Sequence, residues 1–344
     1  MKAVVLDKKG VISIRDMEFH ETLGAQDVRV DIHAVGICGS DVHYYKEGAI
    51  GPFIVKEPMV LGHEASGIVT EIGSEVKHLK VGSRVCFEPG IPDWSSDESR
   101  HGYYNLDPAV RFWATPPIHG CLRESVVHPA ALTYELPASL SMEEGALVEP
   151  VAIGIHAAEV ADVKPGDYAL VLGCGTIGLV TAVSALAAGC STVVITDKLH
   201  EKLAVARLYK NLIAVEAEDA LVREKKAEIT RNRGFDIVFD ATGNSHAIAQ
   251  GIEHIAPHGR LILIGMPSAP VPIDIVRLQM KEVTLKTIFR YANDFSRALQ
   301  LMGAGILDVK PMISKIFTFD QSVEAFELAA KQDPRLVKIL ISCR

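Results

Sequence analysis

The chain has 344 residues, of which 48% are hydrophobic and 23% are charged. A chain of this length and composition predicts about two globular domains and argues against disorder or coiled coil. The formal net charge of −8 argues against nucleic-acid binding and against a polybasic membrane patch, because both require clustered positive charge.

The N-terminal segment predicts a β-hairpin rather than a targeting signal. Residues 1–16 contain two short β-like runs around a Lys-Lys-Gly turn and no apolar region of signal-peptide length. Further β-like runs, separated by Gly and Pro, cover residues 27–33, 65–71 and 83–88. No long amphipathic helix interrupts them, so residues 1–150 are predicted to form a β-rich, barrel-like domain.

From residue 151 the pattern changes to alternating helices and strands. A helix is predicted at 151–162, followed by strands at 168–172, 192–196, 212–215, 235–240 and 260–264 and by helices at 176–188, 199–209, 217–232 and 244–255. Such alternation is typical of a parallel α/β sheet. Residues 168–196 contain no charged side chain, but glycines divide this stretch. It therefore predicts a buried strand–turn–helix–strand unit rather than a membrane span.

The last part of the chain predicts a strand after residue 285 and a helix near 293–304, followed by a helix at 320–331 and a strand at 335–341. This pattern leaves open which domain the tail joins. The six cysteines form no CxxC pair, and a domain of this size needs no disulfide framework, which favours a reducing cytoplasm.

A glycine-rich turn follows the predicted strand 168–172 and reads Gly-Cys-Gly-Thr-Ile-Gly. Between a strand and a helix, such glycines permit a tight turn, the approach of a pyrophosphate and close helix packing, and the helix N-terminus faces the phosphates. Asp197, at the end of the next strand, is placed to bind the ribose hydroxyls and to repel a 2′-phosphate, which selects NAD over NADP. The nearby Lys198 would weaken that preference. The predicted cofactor-binding residues are Gly173, Gly175, Thr176, Ile177, Gly178, Asp197 and Lys198, and a packing-driven turn without a ligand is the alternative.

Three potential metal ligands lie close together in the first domain. Cys38 is followed 25 residues later by His63, and Glu64 comes next. A thiolate, an imidazole and a carboxylate together suit a catalytic zinc with an open position for water or substrate. Each of these residues alone is more often structural, so the spacing leaves both interpretations open.

The segment 62–67, with Gly73 and Val76 after it, resembles the zinc signature of the medium-chain dehydrogenase/reductase superfamily. Further segments match in order at 38–43, 112–117, 148–150, 173–178 and 289–291. Together they resemble the polyol branch, the sorbitol and xylitol dehydrogenases. The resemblance implies an α/β two-domain fold, with a GroES-like β-rich catalytic domain at 1–150 and a Rossmann NAD-binding domain with a doubly wound parallel sheet at 151–285. Residues 286–344 are then expected to return to the catalytic domain.

The resemblance also implies roles for individual residues. Zinc is expected on Cys38, His63 and Glu64, and Glu149 is expected to bind the zinc-bound water or to approach the metal. A secondary hydroxyl of a polyol is then oxidised to a ketone with hydride transfer to NAD, as in xylitol to xylulose or sorbitol to fructose.

Ser40 is expected to accept the hydroxyl proton, and His43 to pass it to solvent. The alternatives are a helix cap at Ser40 and an ordinary loop histidine at His43. The residues expected to line the substrate channel, besides Glu149, are Tyr44, Phe112, Thr115, Arg290 and Tyr291. A structural ion pair is the alternative for Arg290.

The chain departs from many relatives at the structural zinc site. In those relatives four cysteines in the pattern CxxCxxCxxxxxxxC hold a second zinc, and the corresponding positions here are Asp93, Ser96, Ser99 and Asp107. Hydroxyls are poor zinc ligands, so we predict one catalytic zinc per subunit, no structural zinc and a comparatively labile lobe. A hard-cation site that uses Asp97 with the two other aspartates is a minor alternative.

Other functions remain open from the residues alone. They are a zinc and NAD dehydrogenase for another secondary alcohol such as a butanediol, threonine or an aldose, a non-catalytic dinucleotide-binding protein, and a zinc-free quinone reductase. The intact metal and proton-relay residues oppose the last two. The expected partners are a small polyol or ketose and further copies of the chain, in a homotetramer or homodimer, with neither nucleic acid nor membrane.

Overall fold

The computed structural model describes residues 1–344, and contacts within the chain separate two units. The first unit comprises residues 1–149 and 313–344, and the second comprises residues 150–312. No helix combines the length and the apolar composition that a membrane crossing requires.

The first unit is built mainly from short strands. Its elements are β1 Lys2–Lys8, β2 Val11–Asp16, β3 Asp27–Gly36, α1 Gly39–Glu47, β4 Ala49–Ile50, β5 Phe53–Ile54, β6 Met59–Val60, β7 Glu64–Ile72, β8 Arg84–Phe87, β9 Gly90–Ile91, α2 Asp97–Arg100, β10 Arg111–Phe112, β11 Ser125–Pro129, β12 Thr133–Glu135 and α3 Met142–Ala146. As predicted, β1 and β2 form an antiparallel hairpin. The predicted β-rich character of this half is confirmed.

The long strand β3 organises the first unit. Its side chains are alternately buried up to residue 34 and all buried at residues 34–36, as expected for a strand that covers a core with one face and enters it at its end. It pairs antiparallel with β7 and β11, and the main sheet of the unit has the order β12-β8-β7-β3 before it continues into C-terminal strands. The core beneath it contains Val30, Ile32, Leu61 and Phe87.

The second unit alternates helices and strands, as the sequence pattern predicted. Its elements are α4 Val148–Val160, whose first two residues belong to the first unit, β13 Tyr168–Leu172, α5 Thr176–Ala188, β14 Thr192–Asp197, α6 His200–Ala206, β15 Leu212–Glu216, α7 Asp219–Thr230, β16 Phe235–Asp240, α8 Ser245–His254, β17 Ile255–Leu263, α9 Ile275–Lys281, β18 Thr284–Thr287 and α10 Phe295–Gly303. All strand pairs are parallel, in the order β15-β14-β13-β16-β17-β18. This order is that of a Rossmann sheet.

The tail returns to the first unit later than residue 286, where the resemblance placed the change. Strand β18 extends the parallel sheet, and α10 buries Phe295, Ala298 and Met302, so residues 286–312 belong to the second unit. The remaining elements are β19 Ile313–Thr318, α11 Ser322–Ala330 and β20 Lys338–Ser342. Strand β20 pairs antiparallel with β3, with Leu340 opposite Gly36, and this pairing brings the C-terminus to the start of the candidate metal site.

Candidate active site

Antiparallel pairing of β3 with β7 brings the three predicted metal ligands together. Glu64 begins β7 and lies opposite Gly36 at the end of β3, two residues before Cys38. The ligand atoms of Cys38, His63 and Glu64 all lie within 4.8 Å of one another. An added Cβ at Gly36 would lie 2.0 Å from Glu64 Oε2, so only glycine leaves room for that carboxylate.

A buried aspartate holds the two ligand-bearing loops in place. Asp41 is 0% exposed and accepts the backbone N–H of Cys38 at 3.0 Å and that of Gly62 at 3.1 Å. Its Oδ1 also lies 3.8 Å from His63 Nδ1. Burial raises the pKa of Asp41, and its contacts with these N–H groups and with His63 favour the charged form. The sequence reasoning assigned no role to Asp41, although an acidic residue at the third position of a helix is a capping signal.

The charges around this cluster suit a cation. Burial opposes protonation of His63, but the negative groups Cys38, Asp41 and Glu149 raise its pKa well above the usual value. Negative groups that favour a positive charge on this imidazole also favour a cation beside it. Cys38, His63 and Glu64 supply the soft and borderline donors that zinc prefers. The residues present therefore fit a zinc ion.

Lys338, which no motif pointed to, also belongs to this cluster. It is the first residue of β20 and is 2% exposed, and its ammonium donates to Glu64 Oε1 at 2.8 Å and Oε2 at 2.7 Å. Burial opposes its charged form, but the anionic groups Glu64 and Cys38 raise its pKa. The signal that the sequence does carry is a single lysine in an otherwise apolar C-terminal strand, where a charged side chain needs a buried partner.

The predicted proton-relay residues share helix α1. Ser40 and His43 are three residues apart, so they lie on neighbouring positions of one helix face. Ser40 is partly buried and His43 is exposed. The helix begins at Gly39 with Cys38 as its N-cap, so the alternative role of Ser40 as the helix cap is wrong.

Of the predicted substrate residues in the first unit, Phe112 and Glu149 lie near the predicted metal ligand His63. Phe112 is buried and its ring lies 5.6 Å from the ring of His63. Tyr44 is buried on α1, and Thr115 is partly exposed with its N–H bonded to the carbonyl of Phe112. Glu149 is buried and close enough for its charge to raise the pKa of His63, but it is outside the 4.8 Å group of ligand atoms.

Two predicted substrate residues lie in the second unit. Arg290 has a positive φ of 57°, and its guanidinium lies 4.7 Å from the centre of the Phe289 ring. Tyr291 is buried and packs against Phe295 at 5.4 Å. Their role toward substrate stays a prediction.

The glycine-rich turn has the geometry expected for a dinucleotide. Gly173 has a φ of +96°, and an added Cβ at Gly178 would lie 1.8 Å from the carbonyl oxygen of Gly173, so both are required by the backbone itself. Gly175 has no such constraint, because its Cβ would meet no atom within 4 Å. The space over Gly175 and the N-terminus of α5, which no side chain caps, suit a pyrophosphate.

The carboxylate of Asp197 is fixed beside this turn. Its Oδ2 accepts the N–H of Cys174 at 2.9 Å, and its Oδ1 accepts the N–H of Leu199 at 3.0 Å. It is only partly buried at the end of β14, where a ribose would lie, and Lys198 beside it is exposed. Thr176 and Ile177 form the first turn of α5. These residues fit the adenosine part of NAD.

Hydrogen bonds join the positions that hold cysteines in relatives with a structural zinc. Asp107 Oδ2 accepts the N–H of Asp93 at 2.6 Å, and the Ser96 hydroxyl donates to that of Ser99 at 2.9 Å. Trp94 packs against the ring of Tyr104 at 5.5 Å. Direct polar and aromatic contacts therefore stabilise the lobe.

A second group of potential metal ligands lies in the second unit. His156, Glu159 and Asp294 approach within 4.8 Å of one another. His156 Nδ1 lies 3.1 Å from Asp294 Oδ2, and Arg297 lies 2.9 Å from Glu159. A guanidinium beside these carboxylates already supplies positive charge, so we assign this group a structural role between α4 and α10.

Comparison with known proteins identifies the family. Residues 24–138 match the alcohol dehydrogenase GroES-like domain family, and residues 176–304 match the zinc-binding dehydrogenase family. The chain is 57% identical over 332 residues to the D-xylulose reductase of Morganella morganii, covering 96% of this chain and 98% of that protein. The chain belongs to the zinc-binding medium-chain dehydrogenases. It is therefore an oxidoreductase, and the predicted GroES-like and Rossmann fold class is confirmed.

Other members of this family are similar over nearly the whole chain. The sorbitol dehydrogenase of Arabidopsis thaliana is 40% identical and covers 90% of this chain and 87% of its own. The crystal structure of 2R,3R-butanediol dehydrogenase from Bacillus subtilis aligns with a TM-score of 0.89 at 31% identity, covering 100% of this chain and 99% of that chain. The family thus includes both polyol and diol enzymes.

Proposed function

We propose that this dehydrogenase oxidises a secondary hydroxyl of a polyol to a ketone with zinc and NAD, as in xylitol to xylulose or sorbitol to fructose. The observation that carries the proposal is the meeting of the Cys38, His63 and Glu64 side chains within 4.8 Å, in a chain 57% identical to a D-xylulose reductase. The glycine-rich turn at 173–178 supports NAD as the cofactor. The similarity to polyol dehydrogenases supports a polyol as the substrate.

When bound, zinc supplies Lewis-acid polarisation of the substrate hydroxyl, and NAD supplies the hydride acceptor. The hydroxyl of Ser40 would accept the proton that the substrate hydroxyl loses while it donates its own proton onward to the imidazole of His43. His43, on the same helix face and exposed to water, would then release a proton to solvent. Both residues are thus proposed catalytic residues.

Several side chains would orient the substrate. Thr115 and the buried Glu149 offer hydrogen-bonding groups, and Phe112 covers the metal-ligand side with an apolar surface. A polyol carries a hydroxyl on every carbon, so a site with several polar groups favours it over a simple alcohol. Tyr44, Arg290 and Tyr291 complete the proposed substrate-binding set.

We further propose NAD rather than NADP, and one zinc per chain. The carboxylate of Asp197, held by two backbone N–H groups, would repel a 2′-phosphate. Asp93, Ser96, Ser99 and Asp107 offer no thiolate for a second zinc. A cytoplasmic location and a homodimer or homotetramer stay predictions.

Two measurements on the purified protein test this function: zinc content, and NAD reduction with xylitol, sorbitol, arabitol, galactitol and 2,3-butanediol. We expect about one zinc per chain and turnover of at least one polyol. The control Cys38→Ser should lose zinc and turnover but still bind NADH, because the dinucleotide turn lies in the other unit. Turnover of butanediol alone would favour the diol alternative, and a protein that neither holds zinc nor gains activity on adding it would refute the proposal.

A further inference from the structure

Lys338 links two parts of the proposed zinc site. Its ammonium donates to both oxygens of Glu64, at 2.8 Å and 2.7 Å, and to the carbonyl of Ile37 at 3.1 Å. An ammonium has three N–H donors, so all of them are used. Ile37 precedes Cys38, and its own N–H donates to the carbonyl of Ile339, so Lys338 and Ile339 of β20 hold both backbone polar groups of Ile37.

Burying this ion pair has a large desolvation cost, so the pair is an inefficient way to stabilise the fold. Lys338 is 2% exposed and Glu64 is 1% exposed, so both charges are removed from water. Buried ion pairs are often no more stabilising than apolar residues of similar volume. The pair is also fixed on the other side, because Glu64 Oε2 lies against Gly36 where no side chain would fit. Its position beside Cys38 and His63 suggests a role in the site rather than in folding alone.

We propose that Lys338 is a positioning residue that competes with the metal for the carboxylate of Glu64. This inference rests on the proposed zinc site. A carboxylate that already accepts two hydrogen bonds from an ammonium donates less charge to a metal ion. The Cys38 thiolate and the His63 imidazole then supply most of the zinc affinity, and Glu64 is a weak ligand that can be replaced. The weaker its donation, the more strongly the bound ion polarises a substrate hydroxyl.

The direction of the change in zinc affinity tests the proposal. In Lys338→Met the cation that competes for Glu64 and repels a nearby Zn²⁺ is gone, so we expect zinc affinity, measured by competition with a chromogenic chelator, to rise about tenfold. The visible spectrum of the cobalt-substituted protein should change as Glu64 becomes a stronger ligand, and kcat should fall about tenfold. Lys338→Arg, which keeps the charge, should retain a spectrum close to that of the unaltered protein. Zinc affinity that falls or stays the same in Lys338→Met would overturn the proposal and leave a structural role.

A second comparison covers the case in which Lys338→Met fails to fold. The proposal makes Glu64 a weak ligand in the unaltered protein, so Glu64→Gln should lower zinc affinity only a few-fold. In the Lys338→Met background, where the double variant has no buried charge in this pair, the same change should cost at least about tenfold. A loss of a hundredfold or more on Glu64→Gln alone would contradict the proposal.

The measurements of zinc affinity and of the cobalt spectrum need no substrate. A protein that turns over no polyol but shows the expected zinc affinities would refute the substrate assignment and keep the role of Lys338. A protein without zinc affinity at this site would refute both.

Discussion

Two alanine substitutions in the dinucleotide turn should separate folding from cofactor binding. In Gly178→Ala the new Cβ would lie 1.8 Å from the carbonyl oxygen of Gly173, whereas real Cβ contacts do not fall below 3.0 Å. The start of α5 and the carbonyl of Gly173 must therefore separate by at least 1.2 Å, the difference between these two distances. The atom in the way is backbone, so no side chain can rotate to relieve the clash. We expect an overpacking cost of about 1–3 kcal/mol.

The same displacement moves the N–H groups that we expect to bind the pyrophosphate. A hydrogen bond to a charged group is worth about 1.5–3 kcal/mol, so losing one raises the Kd for NADH at least about tenfold. In Gly175→Ala the Cβ meets no atom within 4 Å, and its φ of −83° suits alanine. This variant should keep its thermal midpoint or raise it slightly. Its Cβ would nevertheless occupy the space of the pyrophosphate and weaken NADH binding by a similar factor.

The assay is a pair of measurements on each variant: the thermal midpoint without cofactor, and the Kd for NADH from fluorescence titration. Gly178→Ala should lose both stability and affinity, and Gly175→Ala should lose affinity alone. An unchanged midpoint for Gly178→Ala would show that the turn tolerates a Cβ, and the packing argument would fail. An unchanged Kd for Gly175→Ala would show that the cofactor does not approach this backbone.

Three further predictions concern acid stability, cofactor choice and the lobe. Burial lowers the pKa of His128 to about 4, against 6.5 for an ordinary histidine, although its contact with the carbonyl of Glu88 opposes this shift. The pKa of His128 is lower in the folded state than in the unfolded state, so neutral His128 favours folding above pH 6.5. As the pH falls toward 4, the free energy of unfolding should decrease by up to about 3 kcal/mol. His128→Gln should flatten the dependence of the thermal midpoint on pH in that window, and an equally steep dependence would contradict this account. Asp197→Asn keeps an acceptor for the N–H of Cys174 but loses the negative charge, so the ratio of kcat/KM for NADP to that for NAD should rise at least about tenfold, whereas an unchanged ratio would assign the selectivity elsewhere. Introducing cysteines at all four lobe positions, Asp93, Ser96, Ser99 and Asp107, should add a second zinc, measured by metal analysis. Limited proteolysis of the lobe should then be slower than in the unaltered protein, and a version with three of the four cysteines is the control.

Hydrogen bonds connect the four lobe positions that are predicted not to hold a zinc. They join these positions in pairs, Asp93 with Asp107 and Ser96 with Ser99. Tyr104 adds a hydrogen bond from its hydroxyl to Glu88 at 2.6 Å. Individual hydrogen bonds contribute about 0.5–1.5 kcal/mol each, less than a structural zinc contributes to folding. The predicted lability of the lobe follows from that difference.

Local patterns in the sequence were sufficient for most of the second unit. The strand Tyr168–Leu172 and the helix Thr176–Ala188 have the predicted bounds, because strand and helix periodicities and the glycine turn between them are properties of neighbouring residues. Helix α7 begins two residues later and ends two residues earlier than predicted, since charged residues at its ends gave no clear boundary. The spacing of Cys38, His63 and Glu64 left a metal site and separate structural roles both open, and the resemblance favoured the metal site. Only the pairing of β3 with β7 brings the three side chains together, because Cys38 follows β3 and Glu64 begins β7.

Only the tertiary structure decided what joins the ends of the chain to the site. Lys338 meets Glu64 across 274 residues of sequence, and no local pattern connects a lysine in an apolar strand with a carboxylate so far away. The tail returns to the first unit only at Ile313. Before that residue, β18 pairs with the edge of the parallel sheet and α10 buries its apolar face in the second unit. Sequence periodicity determines which face of an element is apolar, but the partner that covers this face is chosen by the packing of the whole chain.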